Sequence, residues 1–321
     1  MGTAPGLIAD IGATNARFAL ADAKGFYEQR VLQCADFPTI VDAAGAYLDG
    51  LKGAAPKRGA FAIAGPVTGD YFEMTNHAWK FSVSETEKSL GMSHFTLMND
   101  FKAIALAIPH LDKGDLKQIG GDQSAEKAGT IAIVGPGTGL GVASLFWDGQ
   151  QYRANPGEGG HVTMAAKTQR EFDIFRTLRY KYRHVSAERV CSGKGLLNIY
   201  NAIRILDGHE ELPDRTPEQI AEGALAKSCP ACVEALDKMM GFLGSIAGDL
   251  AMTLGASGGV YIAGGIPEKL GDYFFTSRFR EEFEAKGRFD QYLKPIPTYL
   301  ITHPFTAFVG LQHIVADGAR G

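Results

Sequence analysis

LIADIGATNARFAL at residues 7–20 and IAIVGPGTGLGVASL at residues 131–145 decide how this chain is read. Each is an apolar run, a turn of small residues carrying Gly and Thr, and a second apolar run. That pattern predicts a β-hairpin. With Gly12 set against Gly135, the two copies lie about one domain's length apart, and such a repeat predicts two similar halves. Glycines permit positive φ and a close approach of the backbone to whatever sits above the turn. Successive backbone N–H groups there can form a concave nest for anionic oxygens. Asp10 adds a carboxylate for a metal or a water, and Thr14 a hydroxyl for a phosphate oxygen. A lone hairpin of this composition would be ordinary turn chemistry. Its repetition predicts two halves facing one phosphate-bearing ligand.

Standard phosphate loops are absent. The chain has no G-x-x-x-x-G-K-[ST]. The glycines of 135–141 fall at every second position and do not fit G-x-G-x-x-G. It also lacks the H-R-D and D-F-G pair of protein kinases.

The 321 residues are enough for two domains, and 45% apolar with 21% charged residues is ordinary for a soluble globular protein. A net charge of −4 argues against a nucleic-acid or membrane-surface partner. No charged segment with a long apolar run precedes the first predicted strand, so no signal peptide is expected. The apolar stretch 239–256 carries Asp249 and several glycines, which suits a buried helix better than a membrane span. There are four cysteines: Cys34, Cys191, Cys229 and Cys232. Cys229-Pro-Ala-Cys232 lacks a second ligand pair for zinc and the context of a thioredoxin motif, and reads as a helix start. Reduced thiols and a cytoplasmic location are expected.

Further along, residues 36–51 read as a helix, 60–64 as a buried strand and 71–74 as a partner strand ending at Thr75-Asn76. Ser84-Glu-Thr-Glu87 fits a capping box. Residues 95–98 form a strand, and 101–108 a helix stopped by Pro109. Asp100 therefore lies at a strand-to-helix junction, where ligands bind in open α/β sheets and where a helix N-terminus favours an ionised carboxylate. The bland alternative is an N-cap. In Asn155-Pro-Gly-Glu158-Gly-Gly-His161 the glycines argue against a helix and so against a metal pair. A loop offering a carboxylate and an imidazole suits neighbouring hydroxyls, although an incidental surface loop has the same composition.

Residues 170–184 form a basic amphipathic helix with an apolar stripe at Phe172, Phe175, Leu178 and Tyr182. It reads as a solvated face rather than an RNA surface. Glu188 stands close to the glycine turn at 192–195, and 195–206 is helical. Thr216-Pro217-Glu-Gln219 opens a capped helix. Residues 232–254 form a long helix whose Gly241, Gly244 and Gly248 suggest close packing. Residues 259–266 form a buried strand ending at Gly264-Gly265. Against that turn a flat ring such as adenine could lie, or the turn simply leads into a helix. Residues 299–302 and 307–315 are the last strand and helix.

IADIGATNARFAL, AGPVTGDYFEMTNHAW, LMNDFKAIA, VGPGTGLGVA, NPGEGGHV, SAERVCSGKGL and GGVYIAGGI carry a family resemblance over nearly the whole chain. The chain resembles the bacterial glucokinases of the hexokinase and actin-like ATPase superfamily, in the branch without a zinc-binding cysteine cluster. One departure is Gly12-Ala13-Thr14 where the family commonly has Gly-Gly-Thr, and the added methyl restricts φ there. The resemblance implies an α/β, duplicated ribonuclease-H-like or actin-like ATPase fold with two lobes around a central cleft. A small domain would span 1–110, with a C-terminal helix at 303–321 returning to it, and a large domain 111–302.

The resemblance also implies roles. Asp100 would be the general base for the sugar 6-hydroxyl, and Asn99, Glu158, His161 and Glu188 would bind the other glucose hydroxyls. Ala9, Asp10, Ile11, Gly12, Ala13 and Thr14, with Gly137, Thr138 and Gly139, would hold the ATP phosphates. Asp10 would position Mg²⁺ through water, and Gly264 and Gly265 would flank the adenosine. A homodimer is implied, with ATP as co-substrate and no nucleic-acid or membrane partner. Two competing readings are a non-catalytic sugar sensor on the same scaffold and a kinase of an amino sugar or a carboxylate. The Asn99-Asp100 pair favours catalysis, and the Glu158, His161 and Glu188 group disfavours an anionic substrate.

Overall fold

The computed structural model describes residues 5–52, 55–74, 77–209 and 211–317. Thr75 and Asn76, predicted to end a strand, and residues 318–321 of the predicted C-terminal helix lie outside that set. The chain divides into two compact units. One runs to Asp112 and resumes at His303; the other is Lys113–Thr302.

In the first unit, β1 (Gly6–Ile11) and β2 (Asn15–Asp22) form the predicted antiparallel hairpin, with Ile11 opposite Ala16. β3 (Gly25–Gln33) continues it on the β2 side. After helix α1 (Ile40–Asp49), β4 (Arg58–Ile63) returns parallel to β1. Leu7, Ala9 and Ile11 join the apolar cluster of Phe18, Tyr47 and Phe61 on one face, and Ile8 joins Ala19, Ala60 and Met98 on the other. A strand covered on both faces reads as a continuous apolar run, and β1 does so.

β5 (Tyr71–Glu73) pairs only with β6 (Lys80–Ser82), as a separate two-stranded ribbon. Helix α2 (Val83–Ser89) is capped by Ser82, which accepts from Glu85 N, and not by Ser84 as the capping-box pattern predicts. Glu87 is used elsewhere: its carboxylate accepts Phe95 N–H at 2.8 Å and anchors β7 (His94–Asn99), which lies parallel to β4. Helix α3 (Asp100–Ala107) follows at once.

The second unit repeats the plan. After β8 (Leu116–Gly120), β9 (Ile131–Pro136) and β10 (Leu140–Trp147) form the second hairpin, extended by β11 (Tyr152–Gly157). Helices α4 (Gln169–Lys181), α5 (Gly193–Leu206), α6 (Pro217–Leu225) and α7 (Pro230–Leu254) precede β12 (Val260–Ile262), which is parallel to β9. Short helices α8 (Gly265–Leu270), α9 (Asp272–Thr276), α10 (Phe279–Glu284) and α11 (Asp290–Leu293) lead to β13 (Thr298–Ile301), parallel to β12 and flanked by antiparallel β8. The orders β3-β2-β1-β4-β7 and β11-β10-β9-β12-β13 are one topology used twice. The last helix, α12 (Thr306–Asp317), packs Phe308, Leu311 and Val315 against Ile8, Ala60 and Met98 of the first unit.

The glycine stripe of α7 works as predicted. A Cβ at Gly244 or Gly248 would overlap the Phe279 or Phe283 carbonyl of α10. The apolar stripe of α4 is narrower than predicted: Ile174, Phe175 and Leu178 are buried, but Phe172 is exposed.

Candidate active site

The two hairpin turns have a common construction. Gly12 and Gly137 are the first residues past the paired strands, and each donates its N–H across the turn, to Asn15 O (2.9 Å) and Gly139 O (2.8 Å). Gly12 thus corresponds to Gly137. Gly135, with which the sequence pattern aligns it, is a buried strand residue opposite Gly141. Gly12, Gly137 and Gly139 do not use the positive φ that glycine permits. Among the described residues, the N–H groups of Ala13, Thr14, Thr138 and Gly139 have no protein partner. Each turn therefore offers two successive donors of the kind that receive anionic oxygens.

Asp10 lies at the C-terminal end of β1, opposite Arg17 in register, with Arg17 Nη1 3.2 Å from its Oδ2. Burial raises the Asp10 carboxyl above its ordinary value, and the Arg17 guanidinium only partly opposes this. Its side chain keeps 28% exposure, so the carboxylate is reachable from solvent. A Mg²⁺ held with nucleotide phosphates needs only one or two carboxylates and keeps several waters. A single reachable carboxylate beside a turn of free N–H groups fits that requirement.

At the end of β7 the capping role falls on Asn99, not Asp100. Asn99 Oδ1 accepts Lys102 N–H and its Nδ2 donates to Gly65 O, both at 3.1 Å. Its acceptor is thus committed to the fold, and one Nδ2 proton is left for a ligand. Asp100 is the first residue of α3 and half-buried, and its Oδ1 accepts Phe101 N–H at 2.9 Å.

In the second unit the backbone of Leu140 gathers the site. Its N–H donates to Glu188 Oε2 at 3.0 Å. Its carbonyl lies so close over Gly160 that no Cβ would fit there, and Gly159 meets Val142 in the same way. Gly159 and Gly160 are therefore suited to close contact with β10, whereas Gly157 has open space around it. They also permit a single 3-10 turn, Gly159–His161, where the sequence predicts an open loop. That turn brings Glu158 Oε2 and His161 Nε2 to 3.9 Å, with both side chains more than half exposed. A Cβ on Gly139 would come within 2.5 Å of Glu188 Oε2, so a larger residue there would displace the Glu188 carboxylate.

Gly264 does have positive φ, +88°, and its α-carbon packs against the Pro136 carbonyl with no room for a side chain. Gly265 opens α8 with nothing near the position of a Cβ. The structure thus seats the Gly264 turn beside the second hairpin, one residue from Gly137.

Sequence reading missed three supporting groups. Arg17 becomes visible once the hairpin register is counted back from the turn. The Cys34 thiol donates to Gly12 O (3.4 Å) and its N–H to Thr14 O (2.8 Å), bracing the first turn. Gly193 N–H donates to Gly137 O (2.9 Å) and braces the second. Neither brace has a local sequence signal.

A family model described as Glucokinase matches residues 7–318. The chain is 48% identical over 314 residues to a glucokinase of Paramagnetospirillum magneticum, covering 97% of each chain. Among solved structures it is similar to a glucokinase from an Antarctic psychrotroph, with TM-score 0.88 and 34% identity over 99% of this chain and 100% of that one. The fold is also shared with a ROK family glucokinase of Streptomyces griseus solved with glucose and AMPPNP, at TM-score 0.65 and 18% identity over 98% and 99% of the two chains. A match of this extent over a duplicated α/β fold shows that the chain belongs to the glucokinase family.

Proposed function

We propose that the protein transfers the γ-phosphoryl group of ATP to the 6-hydroxyl of D-glucose, giving glucose 6-phosphate and ADP, with Asp100 as general base. The observation that carries this reading is the family match over residues 7–318, within which every quoted motif falls. Phosphoryl transfer asks for an in-line hydroxyl, neutralised phosphate charge and exclusion of water. The N–H pairs at Ala13-Thr14 and Thr138-Gly139 supply fixed donors for phosphate oxygens, which cost no reorganisation during the reaction. Mg²⁺, positioned through water by Asp10, would supply further neutralisation of the phosphates when bound.

Asp100 accepts the 6-hydroxyl proton late in the transfer. Asn99 donates its remaining amide proton to a sugar hydroxyl. Glu158 and Glu188 accept hydrogen bonds from others, and His161 either donates or accepts. Such an array favours a neutral polyol, because a missing or inverted hydroxyl leaves an acceptor unpaired. Gly264 and Gly265 let the adenosine lie against bare backbone. In the same reading the protein works as a cytoplasmic homodimer. Among the described residues no helix is long and apolar enough to cross a membrane.

The test is ADP release from Mg·ATP with glucose, mannose, fructose, N-acetylglucosamine and acetate in turn, against a no-sugar control. Glucose-dependent turnover with little on the others is expected. Tight glucose binding without turnover would favour a sugar sensor instead.

A further inference from the structure

Helix α4 and the segment after it carry exposed aromatic surface and unpaired positive charge that the fold does not use. Phe172 is 54% and Tyr180 90% exposed, while the Phe175 ring is buried. Phe172, Phe175, Arg176, Arg179 and Tyr180 share one helix face by the helical repeat. With Arg183, beyond the helix end, they line a cavity of about 600 Å³. Thr163, Met164, His184 and Val185 also line it, and no carboxylate does among the described residues.

The arginines of this helix differ in what they hold. Arg170, away from the cavity, is bonded to both carboxylate oxygens of Asp207 and of Glu234. Arg176 Nη2 lies 3.1 Å from Asp173 Oδ1. Arg179 and Arg183 have no ion pair and no hydrogen bond among the described residues. Arg179 stands in the last turn of α4 and complements the negative end of the helix dipole, but that interaction uses none of its N–H donors.

A guanidinium is a planar fork that matches the oxygens of carboxylates and phosphates. Here two such forks lack a carboxylate of their own and share a concavity with exposed rings. The volume is within the range of small-molecule sites, about 300–1,000 Å³. Charge and shape together select an anion attached to a flat apolar group.

We propose that this groove is a second binding site, for an organic phosphate ester that carries a flat ring. Arg179 and Arg183 hold the phosphate oxygens, and Phe172 and Tyr180 contact the ring. Phosphate is favoured over carboxylate because a monoester brings nearly two charges to two guanidiniums. A second copy of the chain is disfavoured as the occupant. A two-fold interface centred on the groove would set the arginines of one copy against those of the other.

The groove is joined to residues proposed to bind sugar. Met164 N–H donates to Val185 O (3.1 Å) and Ala187 N–H to Val162 O (2.9 Å), with Thr163 paired opposite Ser186. The Thr163 hydroxyl is also hydrogen-bonded to His184 Nε2 at 3.0 Å. These bonds form a short antiparallel ladder. Met164 and Val185 stand at its groove end, and His161 and Glu188 adjoin the other end. A ligand that orders the groove end therefore orders the segments that carry both. The consequence for glucose rests on the proposed function, whereas binding in the groove does not.

The test titrates phenyl phosphate into the full chain by calorimetry and follows hydrogen exchange with and without it. Saturable binding at millimolar concentration or below is expected, with protection of peptides covering 162–165 and 172–187. Arg179→Gln combined with Arg183→Gln should weaken binding at least about tenfold. Phe172→Ser should weaken it by a smaller factor. All three side chains are exposed, so the fold should be unaffected. Lys24→Gln combined with Lys127→Gln removes the same charge from other exposed positions and should leave binding unchanged. Phenol should not bind, and inorganic phosphate should bind more weakly than phenyl phosphate. The proposal is overturned if phenyl phosphate does not bind, if the double arginine variant binds it as well as wild type, or if inorganic phosphate binds as tightly. Concentration-dependent protection of 172–187 without ligand would show a second copy on the groove and would overturn it as well. None of these readouts requires turnover, so a chain inactive on glucose tests the site equally well.

Discussion

Glu188 Oε2 accepts the backbone N–H of Leu140 at 3.0 Å, so one carboxylate proposed to hold sugar also holds the hairpin proposed to hold phosphate. The two variants Glu188→Gln and Glu188→Ala separate these roles. Glutamine retains an oxygen acceptor for Leu140 and loses charge. Alanine leaves the Leu140 N–H without its acceptor, a loss on the order of 1–3 kcal/mol. Glu188→Gln should raise the glucose KM by about tenfold, the equivalent of about 1.4 kcal/mol, with the ATP KM little changed. Glu188→Ala should raise both and lower the melting temperature. Equal behaviour of the two variants would show that the Leu140 contact is incidental.

Asp100→Asn tests the proposed base directly. The amide oxygen can still accept Phe101 N–H, and the cap belongs to Asn99, so the fold should be little affected. Glucose binding should stay within a few-fold, while kcat falls by about 10²–10⁴. Near-wild-type turnover by coupled assay would remove Asp100 from that role.

Asn99 divides in another way. Asn99→Ala loses the helix cap, worth about 1 kcal/mol, and the tether to Gly65. Asn99→Asp keeps the cap and loses the donor. Thermal melts should rank wild type above Asp and Asp above Ala. The glucose KM should rise in both, since neither variant can donate to a hydroxyl.

The raised Asp10 carboxyl predicts an inverse relation between stability and function. A folded-state value above the unfolded one means that the native chain binds more protons in that window, so stability falls as pH rises through it. At neutral pH the ionised carboxylate costs stability, and the proposed function gives it a use at the phosphates. Asp10→Asn should therefore melt no lower than wild type, with the gap widening from about pH 4 upward and then levelling, since the unperturbed value is about 3.9. Its Mg·ATP turnover should drop sharply. A clear loss of melting temperature at neutral pH would contradict the burial argument.

Much of this was legible because it is local or periodic. The paired hairpins, the strand-to-helix position of Asp100 and the glycine packing stripe of α7 follow from spacing alone. What was not legible depends on partners distant in sequence. Asn99 rather than Asp100 takes the cap because its amide reaches both Lys102 and Gly65. Glu87 leaves its capping pattern because Phe95 N–H needs an acceptor. Glycine permits both positive φ and close approach of the backbone, and Gly159 and Gly160 serve close approach to Val142 and Leu140. Sequence identifies a small residue and leaves open which of its two properties is used.

Gly264 uses both properties, which makes it the sharpest test of the nucleotide side. Its φ of +88° is unfavourable for any L side chain, at about 1–3 kcal/mol, and a methyl would meet the Pro136 carbonyl. Relief requires Pro136 to move, and Pro136 leads directly into Gly137. Gly264→Ala should therefore lower the melting temperature and raise the ATP KM more than the glucose KM. Gly265→Ala is the control, because it has open space and no positive φ. It should leave the melting temperature unchanged and raise the ATP KM only if the adenosine lies over it. If Gly264→Ala impairs glucose and ATP equally while Gly265→Ala does nothing, the Gly264-Gly265 turn supports the fold and does not bind the nucleotide.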